Sequence, residues 1–185
     1  MNSIFKQIVY TIALLALAVS AVAAQATSKN RVAEFTNWSV FVENNPMICW
    51  SVSAPTKQEN RQKGRLVQVK RSATQLMVSV VPSKGIGGQV GFTGGYPFES
   101  GSTVNLNIDG TAFQLTAGSE DNSLKHAEWA WPKNAEEDAK IIDALKRGNR
   151  AEIRGKSTRG TNTIDTFSLI GFTAALEEVR SKCKS

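Results

Sequence analysis

The sequence predicts a mainly β protein, a β-sandwich of about eight or nine short antiparallel strands with two short helices. Three observations predict it. Short runs of branched and aromatic residues alternate with polar ones and are punctuated by glycine, proline and asparagine. Asp109-Gly110 separates two alternating runs, 103–108 and 111–116, which is the strongest short hairpin signal in the chain. Only two segments, after Asn134 and after Thr173, carry apolar residues at helical spacing.

The first 24 residues read as a secretory signal. Lys6 supplies a positive start, residues 8–22 are mostly apolar, and Ala21, Ala23, Ala24 and Ala26 form a small-residue cleavage region. The apolar run falls short of the ~20 residues a membrane span needs, and no later run is longer, so no transmembrane span is expected in the mature chain. Residues 25–34 read as a loose polar lead-in, and 35–185 as a single β-rich domain, large enough for its own core.

Within that domain, residues 38–43 alternate, with Trp38, Val40 and Val42 on one face and Phe41 on the other. Asn44-Asn45-Pro46 is a turn signal. Residues 48–52 follow as a strand with Cys49 facing away from Ile48, Trp50 and Val52. Residues 53–65 are polar and basic and read as a long loop. Residues 66–69 suggest a short strand, and 76–81 a stronger one ended by Pro82. Residues 84–88 read as a turn, 89–93 as a glycine-weakened strand, and 129–131 as one more short strand before Pro132.

Asn134 is placed to cap a helix, with Glu136 and Glu137 near the positive end of its dipole, Ile141, Ile142 and Leu145 as its apolar stripe, and Gly148 as its stop. Residues 150–156 and 166–170 read as strands, the second placing Phe167 and Leu169 on one face. Gly171 breaks it, and Thr173 is the expected N-cap of a terminal helix that carries Leu176, Val179 and Cys183 on one side. Cys49 and Cys183 are the only cysteines, and in an exported chain they are expected to form a disulfide joining the two ends of the domain.

No catalytic, cofactor-binding or metal-binding residue is legible. His126 is the single histidine, and a metal site needs three or four ligands. The glycines between 85 and 95 lack dinucleotide-fingerprint spacing, and no Gly-Lys-Ser/Thr follows them. Glu136/Glu137 and Glu177/Glu178 suit solvated helix faces better than acid–base work. Asp165 stands out among the acids because it opens the last strand beside Arg159. Trp129 and Trp131 would form an apolar wall if the protein were a small-ligand carrier, although tryptophans more commonly serve the core.

The clearest partner signal is electrostatic. Lys57, Arg61, Lys63, Arg65, Lys70, Arg71 and Lys84 face a single acid, Glu59, between positions 57 and 84. Such a tract attracts polyanions, here an anionic component of the envelope or of a host surface. The plainer role for the same charges is protection of a sheet edge and solubility. Nucleic acid is not expected, because the tract carries no aromatic residues for base stacking.

Three stretches taken together resemble a known family. They are 38–50 with its cysteine, Gly94-Gly95-Tyr96-Pro97-Phe98-Glu99-Ser100-Gly101-Ser102, and Arg159-Gly160-Thr161 running through Asp165-Thr166-Phe167-Ser168-Leu169-Ile170-Gly171-Phe172 to Cys183. With Asn134-Ala135-Glu136-Glu137, they resemble the invasion-associated locus B family of exported bacterial proteins. The resemblance implies a β-rich domain behind a signal peptide, in the periplasm or at the outer membrane. It also implies a non-enzymatic protein, since no catalytic set or cofactor comes with the family. An enzyme acting on envelope glycans or lipids is the competing class.

Overall fold

The computed structural model describes residues 29–118 and 126–184, so the expected signal segment lies outside the described residues. The strands are β1 (Arg31–Phe35), β2 (Trp38–Asn44), β3 (Met47–Ser53), β4 (Lys57–Gln62), β5 (Arg65–Leu66), β6 (Gln75–Val81), β7 (Ile86–Thr93), β8 (Thr103–Ile108), β9 (Thr111–Ala117), β10 (Trp129–Trp131), β11 (Arg150–Lys156) and β12 (Asn162–Ser168). The helices are α1 (Ala135–Arg147) and α2 (Phe172–Lys182).

The mainly β, antiparallel character with two helices is as expected. The sandwich is not: the strands form one twelve-stranded sheet in the order β1-β2-β3-β6-β7-β10-β9-β8-β11-β12-β4-β5. The reason lies in β10. Its central residue Ala130 pairs with Phe92 of β7 on one side and with Ala117 of β9 on the other, so three residues join what would otherwise be two sheets.

The sheet coils until strands far apart in its order meet. Trp38 Nε1 of β2 donates to the Ser168 carbonyl beyond the centre of the order, at 3.1 Å. Inside the coil Phe92 of β7 meets Phe167 of β12 edge to face, with ring centroids 6.2 Å apart. The enclosed core includes Trp38, Leu76, Phe92, Leu106, Ile153 and Phe167, all fully buried. Helix α2 covers the β1–β3 end, where Phe172 packs edge-on against Trp38 at 4.8 Å, a geometry worth about 0.5–1.5 kcal/mol beyond burial.

The extra strands are polar ones. Residues 57–62, expected to be loop, form β4 against β12, and β5 is only Arg65–Leu66 rather than residues 66–69. Strand β5 is the edge and pairs with only Arg61 and Gln62 of β4, so most of β4 also has an open hydrogen-bonding side. Charge protects such sides and no apolar alternation is needed, so the hydrophobic pattern could not reveal them. The opposite edge, β1, occupies much of what was expected to be loose lead-in. The expected turn at 84–88 is shorter: a 3-10 turn spans Pro82–Lys84 and β7 begins at Ile86.

Local signals otherwise hold. Asp109 and Gly110 both take positive φ, 45° and 97°, as a two-residue hairpin requires. Asn134 Oδ1 accepts from Glu137 N–H at 3.0 Å, and Ile141, Ile142 and Leu145 are buried. Asp138 is an unforeseen member of that buried face. Its Oδ1 accepts the Val90 N–H at 2.7 Å, where the pairing of β10 with β7 has ended. Burial pushes its carboxyl above the usual range, and the Val90 hydrogen bond opposes that rise.

Thr173 is not the N-cap of α2. Gly171 takes that position at φ 95°, because a Cβ there would overlap the Phe35 carbonyl. Thr173 lies inside the helix, where its hydroxyl donates to the Lys146 carbonyl at 3.3 Å. At the other end of α2, Cys183 is bonded to Cys49 of β3, with Cα atoms 5.9 Å apart across a sequence separation of 134. No helix among the described residues is long and apolar enough to cross a membrane.

Candidate functional site

Coiling the sheet brings the segment between β5 and β6 against the turn between β11 and β12. Between them lies a cleft of about 270 Å³, walled by residues 69–71, 95–97, 157–159, Glu128, Thr161 and Thr163. Three stretches singled out in the sequence therefore meet at one place: the basic tract, the Gly-Gly-Tyr-Pro-Phe bend and the Arg159-Gly160-Thr161 turn.

The wall of the cleft is anchored by a buried ion pair. Arg71 holds Asp165 through both nitrogens, Nη2 to Oδ2 at 2.6 Å and Nη1 to Oδ1 at 2.9 Å. Their side chains are 6% and 0% exposed. Arg71 also donates to the Gly94 carbonyl (2.9 Å) and to Asn60 Oδ1 (3.2 Å), and Gln58 donates to Asp165 Oδ1 (3.3 Å). The guanidinium sits 5.0 Å from the centre of the Tyr96 ring, a cation–π distance. Asp165 was singled out for its neighbour Arg159. Its partner is instead Arg71, 94 positions away in sequence, and Arg159 lies on the rim.

Tyr96 lines the cleft. Its ring rests where side chains on Gly94 and Gly155 would stand: a Cβ at either would lie 2.7 Å from Tyr96 atoms. Its hydroxyl meets Thr163 Oγ1 at 2.5 Å, and Thr163 Oγ1 is also 3.4 Å from the Gly155 carbonyl. Burial pushes the phenol up to about 12, against the opposing pull of the Thr163 hydrogen bond and the Arg71 charge. Tyr96 therefore stays a neutral hydroxyl throughout the physiological range.

The chain has two tyrosines, Tyr10 and Tyr96, so protein lacking residues 1–24 reports Tyr96 alone. Ultraviolet titration of the native protein should give a tyrosinate midpoint near 12, moving to ~10 in denaturant. Because the folded value is the higher one, this group's contribution to stability is complete below pH ~10 and is lost as pH rises towards 12. A native midpoint near 10 would contradict the burial described here.

The rest of the basic tract divides into groups. Lys57 and Arg61 on β4 share Glu59, at 2.6 and 3.1 Å, and hydrogen bonds from first Lys57 and then Arg61 hold its carboxyl below the usual range. Lys63 lies in the turn to β5, Arg65 on β5, and Lys70 at the cleft. Arg71 is withdrawn into its ion pair. Lys84 sits in the 3-10 turn at the far end of β6, away from the other six. Strand pairing adds cations that the linear tract did not show. Lys156 faces Asn162, which faces Arg61, so a second groove of about 330 Å³ gathers Arg61, Arg154 and Lys156. Arg154 pairs with Glu152 and Lys156 with Glu99, each at 2.7 Å. Among the described residues, Lys63, Arg65, Lys70 and Arg159 hold no ion pair.

Of the tryptophans only Trp38 is core. Trp50 is half-buried and stacks on Phe41 at 5.4 Å, and Trp129 and Trp131 are half-buried side by side on β10. His126 opens a short 3-10 turn, and its side chain lies outside the described residues. Among the described residues no three of His, Cys, Asp and Glu gather as a metal site would require.

No family model matches the chain, and no curated protein matches it. Among solved structures, the crystal structure of invasion associated protein B from Bartonella henselae is similar, with a TM-score of 0.51 at 15% identity. The match covers 80% of this chain and 95% of that one. The resemblance read from the sequence stretches thus extends to the fold.

Proposed function

We propose that this chain is a non-enzymatic exported protein of the invasion-associated locus B type, held in the periplasm or at the outer membrane, that binds an anionic component of the envelope or of a host surface. The observation that carries the reading is a set of cations that hold no ion pair among the described residues, Lys63 and Arg65 on the β4–β5 hairpin and Lys70 and Arg159 on the cleft wall. Lys57 and Arg61 follow along β4 with a single shared acid. Their summed field attracts anionic surfaces more than any one of them would. The disulfide and the signal-like amino terminus support export. The comparison supports the family type at the level of fold.

The enzymatic reading is less well supported. Glycan or ester hydrolysis by paired carboxylates needs two acids facing one space. Among the described residues Glu128 is the one carboxylate on the cleft wall, and Asp165 is bound behind it by Arg71. The test of the binding reading is cosedimentation with vesicles of phosphatidylglycerol and phosphatidylcholine against phosphatidylcholine alone. Recovery on the anionic vesicles only is expected, and equal recovery on both would reject the proposal.

A further inference from the structure

We propose that the cleft beside Arg71 and Tyr96 is a binding site for a single sugar unit bearing one anionic group, a phosphate or a carboxylate. This rests on the anionic-partner reading above and names the chemistry of one contact within it.

Size comes first. At about 270 Å³ the cleft lies just below the ~300–1,000 Å³ usual for ligand pockets, which suits one ring rather than a chain of them. Its lining is hydroxyl-rich: Tyr96, Ser157, Thr158, Thr161 and Thr163 all face it. Two of these hydroxyls, on residues that are largely buried, have bonding capacity to spare. Thr161 is 7% exposed, and its hydroxyl has no hydrogen bond among the described residues. Ser157, also 7% exposed, accepts the Thr161 N–H at 3.1 Å, but its own hydroxyl proton goes to no acceptor there. Both residues line the cleft, so a ligand there can take up that capacity. Ring hydroxyls of a sugar, each both donor and acceptor, match that requirement.

Charge sets the rest. Among the described residues Lys70 and Arg159 line the cleft without ion pairs, while Arg71 is neutralised by Asp165 and bonded through all three of its nitrogens. Glu128 on the same wall opposes a multiply charged ligand. Two free cations and one acid favour one anionic group attached to a neutral polar ring. Pro97 and Val69 supply the apolar contact that the carbon face of such a ring can cover.

The test is isothermal titration calorimetry of the disulfide-bonded protein with glucose 1-phosphate, glucuronate, glucose and inorganic phosphate. At least one sugar acid should bind about 10-fold more tightly than glucose or inorganic phosphate, the scale of one charge-assisted hydrogen bond. Binding of glucose 1-phosphate alone assigns the group as phosphate, and of glucuronate alone as carboxylate. Lys70→Ala and Arg159→Ala should each weaken that binding about 10-fold, and Thr161→Val about 3-fold. Reversing Lys57, Lys63 and Arg65 to glutamate should lower vesicle recovery and leave sugar-acid affinity unchanged. Failure of every sugar acid to bind, inorganic phosphate binding as tightly as the best of them, or native affinity in Lys70→Ala and Arg159→Ala would each overturn the assignment. If vesicles are bound and sugar acids are not, the cleft proposal alone falls. If sugar acids are bound and vesicles are not, the surface proposal alone falls.

Discussion

Asp165→Ala should destabilise the protein by about 3–5 kcal/mol, because it strands the Arg71 guanidinium inside the fold with no counter-charge. The acid is fully buried, and the arginine is nearly so. Arg71 would keep only the Gly94 carbonyl and Asn60 as acceptors. Replacing both partners, as in Arg71→Met with Asp165→Leu, should recover much of the loss, since paired charges repay their desolvation only in part. Urea titration of the two single variants and the double variant makes a thermodynamic cycle. A double variant as unstable as the sum of the singles would mean that the pair does not act as a unit. The pair holds the segment at 70–71 against β12, so the cleft should lose its shape in the single variants before the distant α1 does.

Reduction of Cys49–Cys183, or the change Cys183→Ser, should cost about 2–5 kcal/mol, the usual range for a native bridge in a small secreted domain. The loop closed is long, with a separation of 134, and chain-entropy reasoning places long loops near the top of that range. The loss should appear first in α2. That helix has no side-chain hydrogen bond at its N-cap and is held by packing of Phe172, Leu176 and Val179 and by the bridge at its end. Amide exchange should therefore quicken in α2 before it does in β6 and β7. Free thiols titrating in the native oxidised protein, or unchanged stability on reduction, would refute this.

Much of the architecture was legible because it is locally encoded. The Asp109-Gly110 turn, the Asn134 cap and the burial of Phe167 and Leu169 each follow from a few adjacent residues, although the last strand runs over Asn162–Ser168 and not 166–170, which puts Asp165 inside it. The single sheet was not legible, because it depends on Ala130 pairing on both sides with strands far away in sequence. Strand β4 was hidden because it is polar, lying next to the edge with only the two-residue β5 beyond it, and so carries no hydrophobic period. The site was legible only in pieces. The basic tract, the Gly94–Phe98 bend and Asp165 each stood out, but their meeting point is a property of the coiled sheet. Arg159 was the nearest cation to Asp165 along the chain, yet the partner in space is Arg71. Arg154 and Lys156 join Arg61 only through the register of β11, β12 and β4, which no linear tract records.

The central claim, attraction of an anionic surface by a distributed cationic corner, is tested most directly by vesicle partitioning across a salt series. Binding to phosphatidylglycerol-containing vesicles should fall steeply as the Debye length shrinks from ~30 Å at 0.01 M to ~8 Å at physiological ionic strength. Neutralising Lys63, Arg65, Lys70 or Arg159 one at a time should lower the partition coefficient about 5-fold each, near 1 kcal/mol per surface charge, with no single change abolishing it. Partitioning that is unaffected by salt, or that one substitution removes completely, would contradict the account.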